Sequence, residues 1–207
     1  MQALYSPAPS ATDPVALGQL RRTLWRLLLV LTTEGGPVTE AEAAAILRYL
    51  YGCTEGLHLE DLVELILDLL FCNRSAFTQH FTRFQGPLLL LHRLPTATRT
   101  ARVLCLLAMG KALSKRDWTP PVLRHLAQLL GSLGLQLHTY LALRTILTGE
   151  VRRPFVLQFT PLSPGRTYAL RVPALLTMLV DMCGDAADAA VTMALLRDMA
   201  VILTPNG

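Results

Sequence analysis

Four carboxylates that lie close together in the chain are the side chains best suited to acid–base chemistry: Glu60, Asp61, Glu64 and Asp68. Two carboxylates held at different pKa values can divide the roles of general acid and general base. Leucines recur at helical spacing through the same stretch, so the four carboxylates fall on the polar face of one helix. We expect no basic partner beside them, and we therefore interpret them as a solvated helix face.

The glycine-rich motifs that mark nucleophile elbows, P-loops and dinucleotide-binding turns are missing from the chain. The nearest approach is Gly-Ser-Leu-Gly at 131–134, which lacks the rest of any such motif and predicts a turn between helices. The sequence therefore favours a protein that is not an enzyme. An enzyme with an unrecognised helical fold stays open as a third hypothesis.

Metal binding is also not indicated. None of the five histidines stands four residues from another, the spacing that puts two ligands on one helical face: His58, His80, His92, His125 and His138. Cys53 with His58, or Cys72 with His80, would supply only two ligands. The four cysteines form no CxxC pair and are expected to be reduced core residues. We expect no metal and no cofactor.

The segment 150–172 is the best candidate for a binding element, because it interrupts an otherwise helical pattern. Two β-prone runs flank a Ser-Pro-Gly turn and predict a hairpin or an ordered loop. Long excursions from a repeat often bind partners. The alternative is that the segment only packs over the groove between repeats. Its predicted partner-binding residues are basic or aromatic: Arg152, Arg153, Phe155, Phe159, Arg166, Tyr168 and Arg171.

The elements that must carry these residues are leucine-rich helices alternating with helices that open near proline. The leucine-rich helices begin near residues 15, 58, 98, 136 and 186. Most intervals are about 40 residues, the period of HEAT and armadillo repeats. We predict an all-α fold, an armadillo/HEAT-like α-solenoid of stacked helical pairs with one hairpin or loop insertion. We expect residues 1–12 to form a flexible lead, and 13–207 to form a single armadillo-like helical domain containing the insertion at 150–172.

Two local patterns support the predicted helices. Thr39 and Glu42 stand at the spacing of a capping box, in which each side chain bonds the other's backbone amide. Phe77, Phe81 and Phe84 are spaced to share one face of one helix, and we interpret that face as core.

Composition narrows the function classes. Hydrophobic residues make up 52% of the chain and charged residues 16%, yet charges such as Arg26, Asp68, Lys111 and Arg197 interrupt every apolar run. We expect no transmembrane span, and a solenoid segment whose ends are covered explains the hydrophobicity. The formal charge of +4 is spread over small groups, which argues against nucleic-acid binding. The first residues lack a basic signal-peptide region, so a cytoplasmic protein is expected.

The run 81–94 (Phe-Thr-Arg-Phe-Gln-Gly-Pro-Leu-Leu-Leu-Leu-His-Arg-Leu), with flanking helices at 62–71 and 103–113, resembles the joins of armadillo-like repeats. It looks most like the armadillo-like solenoid regions of the large BEACH-domain scaffold proteins, particularly the neurobeachin-like ones. The resemblance implies a non-enzymatic scaffold that binds other proteins in vesicle or granule traffic, peripheral to membranes through a larger assembly. Nothing here resembles a BEACH domain or WD repeats, so a fragment or short isoform is expected. The alternative is a self-contained helical-bundle adaptor whose groove accepts a partner helix.

Overall fold

The computed structural model describes residues 14–34, 36–53, 56–72, 76–149, 161–164, 166–185 and 188–204, which form ten α-helices and no β-strand. The helices are α1 (Pro14–Glu34), α2 (Glu40–Gly52), α3 (Gly56–Cys72), α4 (Ala76–Arg83), α5 (Gly86–Arg93), α6 (Arg99–Ala112), α7 (Pro120–Leu133), α8 (Leu137–Thr148), α9 (Pro173–Asp185) and α10 (Ala189–Leu203). The all-α prediction is confirmed.

The five leucine-rich helices form one layer in chain order, which we call the inner layer. Helix α1 packs on α3, α3 on α6, α6 on α8, and α8 on α10. Two helices inside this layer, α3 and α6, are buried on nearly every side, and α6 has an almost unbroken run of buried residues. This burial from both sides accounts for the high apolar content of the chain.

The remaining helices form an outer layer. Helix α2 contacts α4 and α5, α5 packs on α6, and α7 packs on α9. The rings of His92 on α5 and His125 on α7 lie 5.8 Å apart, edge to face. Helices α7 and α9 begin at Pro120 and Pro173, where a missing backbone N–H costs no helical hydrogen bond. The predicted alternation of helix types therefore separates the two layers.

The predicted capping box is present at the start of α2. The backbone amide of Glu42 donates to Thr39 Oγ1 over 3.3 Å, and the Thr39 amide donates to the Glu42 carboxylate over 2.7 Å. These hydrogen bonds hold the pKa of Glu42 below its ordinary value. The phenylalanine face is confirmed as core for Phe77 and Phe81, whose ring centroids lie 5.6 Å apart, whereas Phe84 is half-buried.

A glycine sets the closest approach within the inner layer. A Cβ atom added to Gly110 of α6 would lie 2.4 Å from Cγ1 of Ile146 on α8. Real carbon atoms do not approach so closely, so only glycine permits this stacking distance. Ile146 is itself buried, and it fills the space that a side chain at Gly110 would occupy.

The four cysteines form no disulfide, but the expectation that all of them are core residues is wrong. Cys53 and Cys105 are buried, whereas Cys183 is half-buried and Cys72 is exposed at the end of α3. Cys72 differs because its position in the final turn lies beyond the leucines that pack in the core. Burial raises the pKa of the Cys105 thiol to about 12.

Candidate protein-interaction surfaces

The described half of the predicted binding element, 161–164 and 166–172, is a loop without β-strand. It is anchored to the inner layer by Arg171, whose backbone amide donates to the Leu147 carbonyl over 2.7 Å. The Arg171 guanidinium also donates to the Leu113 carbonyl over 3.3 Å, and Val172 is buried beside it. Arg171 therefore ties the loop to the ends of α6 and α8, the packing role that the sequence left open.

Arg166 and Tyr168 come together on the outer side of this loop. The Arg166 guanidinium carbon lies 5.2 Å from the Tyr168 ring centroid, a distance that permits a cation–π contact. The Tyr168 hydroxyl accepts a hydrogen bond from the Ser163 amide over 2.9 Å. The other four predicted residues, Arg152, Arg153, Phe155 and Phe159, lie outside the described residues. Of the predicted set, Arg166 is exposed and lies against the half-buried ring of Tyr168.

The carboxylate cluster does not form a solvated face at Asp61, so that expectation is wrong there. Asp61 is only 7% exposed and accepts hydrogen bonds from Arg21 over 2.5 Å and Arg22 over 3.4 Å. The two arginines belong to α1, which stacks on α3 and brings basic partners that are distant in sequence. Glu60 accepts a hydrogen bond from the Thr98 hydroxyl, whereas Glu64 is exposed as predicted. These contacts hold helices together.

A second buried ion pair lies at the opposite end of the inner layer. Asp198 of α10 accepts from the Tyr140 hydroxyl over 2.8 Å and from the Arg144 guanidinium over 3.3 Å, both on α8. Burial and the neighbouring carboxylate raise the pKa of Tyr140, which therefore stays protonated and donates. This network attaches α10 to α8, and in the sequence it is marked by no more than polar residues within apolar helices.

In the described part of the chain, no three His, Cys, Asp or Glu side chains are grouped so that they could hold a metal ion. No helix in that same part is long and apolar enough to cross a membrane.

The first apolar surface lies on α1, on an exposed side next to the side that packs on α3. We define the N-end face as five large side chains that are 44–63% exposed: Leu20, Leu24, Leu27, Val30 and Leu31. Their spacing follows one side of the helix over three turns. The inner layer thus ends on a helix with the same apolar pattern as its buried members.

The second apolar surface lies on α10, at the other end of the layer. We define the C-end face as three large side chains that are 58–67% exposed: Met193, Leu196 and Leu203. The opposite side of α10 is buried through Val191 and Leu195. Both terminal helices of the inner layer therefore bury one side and expose another apolar side.

The outer layer contributes two grooves. The larger, of about 630 Å³, runs between α7 and α9, and we call it the α7–α9 groove. The smaller, of about 410 Å³, lies between α2 and α5 beside the exposed Tyr51. Six apolar residues line much of the α7–α9 groove: Leu123, Ala127, Gly131, Ala174, Met178 and Met182. The alternative of a groove for a partner helix anticipated such a feature, but not its position.

Helices that stack in sequence order, with a second layer of helices beside them, define an α-solenoid. Residues 7–207 match the family described as the Neurobeachin/BDCP, DUF4704 alpha solenoid region. The chain belongs to this family, and the resemblance to neurobeachin-like BEACH scaffolds is confirmed. No curated protein and no solved structure gives a significant match.

Proposed function

We propose that the chain is a non-enzymatic interaction scaffold, acting as a segment of a larger cytoplasmic protein in vesicle or granule trafficking. Its partners are other proteins, and it reaches membranes peripherally, through the larger assembly. It uses no cofactor and does not bind nucleic acid. Membership of the Neurobeachin/BDCP family supports this proposal.

The observation that carries the proposal is the pair of exposed apolar end faces. Soluble monomers rarely leave large contiguous apolar patches in water unless the patches bind something. The equivalent sides of α3 and α6 are buried against neighbours in the same layer. Solenoids extend when further helices stack on the end of an existing layer. The N-end and C-end faces are therefore suited to further helices of the same type.

Proximity labelling in cells tests the trafficking role. The full chain, fused to a labelling enzyme, should enrich vesicle and granule proteins over the labelling enzyme alone. A matched chain carrying Arg166→Ala and Tyr168→Ala tests the contact between these two side chains of the loop, and it leaves the anchoring Arg171 in place. Labelling indistinguishable from that of the enzyme alone would count against the function.

The self-contained adaptor remains the second candidate, because the α7–α9 groove is apolar and open. The two candidates differ in what the end faces do. Lysine substitutions on the N-end face should reduce assembly with solenoid neighbours if the chain is a segment. They should leave the behaviour of a self-contained adaptor unchanged.

A further inference from the structure

We propose that the α7–α9 groove binds one amphipathic α-helix of a partner protein, with an apolar ridge, an acidic flank towards α7 and a basic flank towards α9. The inference deepens the scaffold function and rests on it. It names the surface and the chemistry of the partner.

The groove is open because small residues stand where packed helices usually interdigitate. Gly131 and Ala127 face it from α7, and Ala174 faces it from α9. A Cβ atom added to Gly131 would meet no atom within 4 Å, in contrast to the crowded Gly110. The space above Gly131 is therefore large enough to admit side chains from another molecule.

The floor of the groove is apolar and adaptable. Leu123, Met178 and Met182 line it, each only 7% exposed. Methionine side chains are flexible and polarisable, so they fit apolar ligands of varied shape. Such a floor favours leucine-type anchors over polar ones.

The dimensions of the groove fit a short helix. Its α7 wall extends from Pro120 to Gly131, about 16 Å at the helical rise per residue, and its α9 wall from Ala174 to Met182, about 12 Å. These lengths correspond to two or three helical turns. A helix of that length presents anchors at positions i, i+3, i+4 and i+7, the pattern by which amphipathic helices fill grooves.

Two exposed charges set the flanks of the partner. Arg124 stands on the α7 wall and Asp181 on the α9 wall. A bound helix with glutamates on one flank and lysines on the other can pair its glutamates with Arg124 and its lysines with Asp181. Both pairs form only when the helix runs along the groove in one of its two directions. A helix with lysines on both flanks meets Arg124 with like charge, so the groove discriminates between the two.

The test uses two labelled synthetic helical peptides that share one leucine ridge, measured by fluorescence anisotropy against the full chain. The mixed peptide carries glutamates on one flank and lysines on the other, and the basic peptide carries lysines on both. Saturable binding of the mixed peptide is expected, about two- to fivefold tighter than that of the basic peptide. The variant Arg124→Asp should reverse this preference without altering the groove floor.

Filling the groove supplies the second arm. Gly131→Leu places a side chain in the open space and should weaken the mixed peptide at least tenfold. Gly18→Leu is the matched control, since Gly18 of α1 is also helical and also open. Circular dichroism of each variant checks its fold. It also shows whether the bound peptide is helical.

Four results would overturn the proposal: no saturable binding, equal weakening by the two leucine variants, a peptide that binds without becoming helical, or self-association of the chain that Gly131→Leu abolishes. The last result would make a second copy the occupant. Proximity labelling with the Gly131→Leu chain separates the two proposals. Unchanged trafficking neighbours, together with no peptide binding, would remove the groove proposal and leave the scaffold function standing.

Discussion

Replacing Gly110 by alanine should destabilise the protein, although alanine favours helix more than glycine does. In an exposed helix interior the change gains about 1 kcal/mol. Here the new Cβ would lie 2.4 Å from Ile146 Cγ1 and 2.9 Å from its Cδ1, inside a buried contact. Inserting extra atoms into a packed core costs about 1–3 kcal/mol. This range comes from proteins in which the neighbouring atoms had already shifted to make room. Because the overlap is deep, we expect the cost to exceed the gain, with a net loss of stability of up to about 2 kcal/mol.

Gly131→Ala is the matched control, because the same substitution there meets no neighbouring atom. It should stabilise the protein by up to about 1 kcal/mol, so the two variants are predicted to differ in sign. Thermal unfolding followed by far-ultraviolet circular dichroism measures both as shifts of the midpoint temperature, Tm. At this chain length, 1 kcal/mol corresponds to about 2–4 °C in Tm.

A second-site change shows whether Ile146 is the cause. In an Ile146→Ala background, Gly110→Ala should no longer destabilise, since the colliding Cγ1 and Cδ1 atoms are gone. If Gly110→Ala raises the midpoint of the otherwise unchanged protein, as the control does, the close stacking of α6 on α8 is wrong.

Four further predictions concern the buried ion pair of Asp198, the reactivity of two cysteines, the pH dependence of stability and the N-end face. Asp198→Ala should cost about 3–5 kcal/mol, since Arg144 stays buried without its carboxylate, and hydrogen exchange should accelerate first in α10; Asp198→Asn should cost less. Cys72 should react with a thiol reagent in the native state while Cys105 is protected, and equal rates would contradict its burial. Because the Cys105 thiol stays protonated in the fold, its contribution to stability is full below pH 9 and should be lost as pH rises towards 12, as pH-dependent unfolding would measure. Leu24→Lys should reduce self-association through the N-end face, as measured by light scattering. Because Leu24 is exposed, the variant should change the free energy of unfolding by no more than about 0.5 kcal/mol.

Local chemistry explains which elements could be predicted from sequence. The capping box at Thr39 involves residues three positions apart, and the prolines that open α7 and α9 act within one turn. The stacking order follows from the leucine period, because helices that are apolar on several sides must be covered by their neighbours. Each of these features depends on short-range patterns, which is why the helices and their layer were predictable.

The site features depend on residues that are far apart in the chain. Asp61 is buried because Arg21 and Arg22 arrive from a helix about 40 residues earlier, and no local pattern pairs them. The α7–α9 groove requires small residues on two helices separated by the insertion. Partner binding by Arg171 stays a prediction, and the sequence did not reveal its contacts with two backbone carbonyls, which anchor the loop. In each of these features, contacts between residues far apart in the chain determine where the side chains lie, and local composition does not reveal them.

Leucine stripes alone do not determine the register in which two helices pack. One helix can slide along the other by a turn and still bury a similar apolar area. The two ends of the inner layer add polar contacts that cannot slide. At one end Asp61 meets two arginines of α1, and at the other Asp198 meets Arg144 and Tyr140. A displaced register would leave a buried carboxylate without its partners, which costs far more than imperfect apolar packing. The exposed apolar sides of α1 and α10 can therefore bind partners without determining the stacking. The polar pairs on the buried sides of the same two helices hold them in a single register.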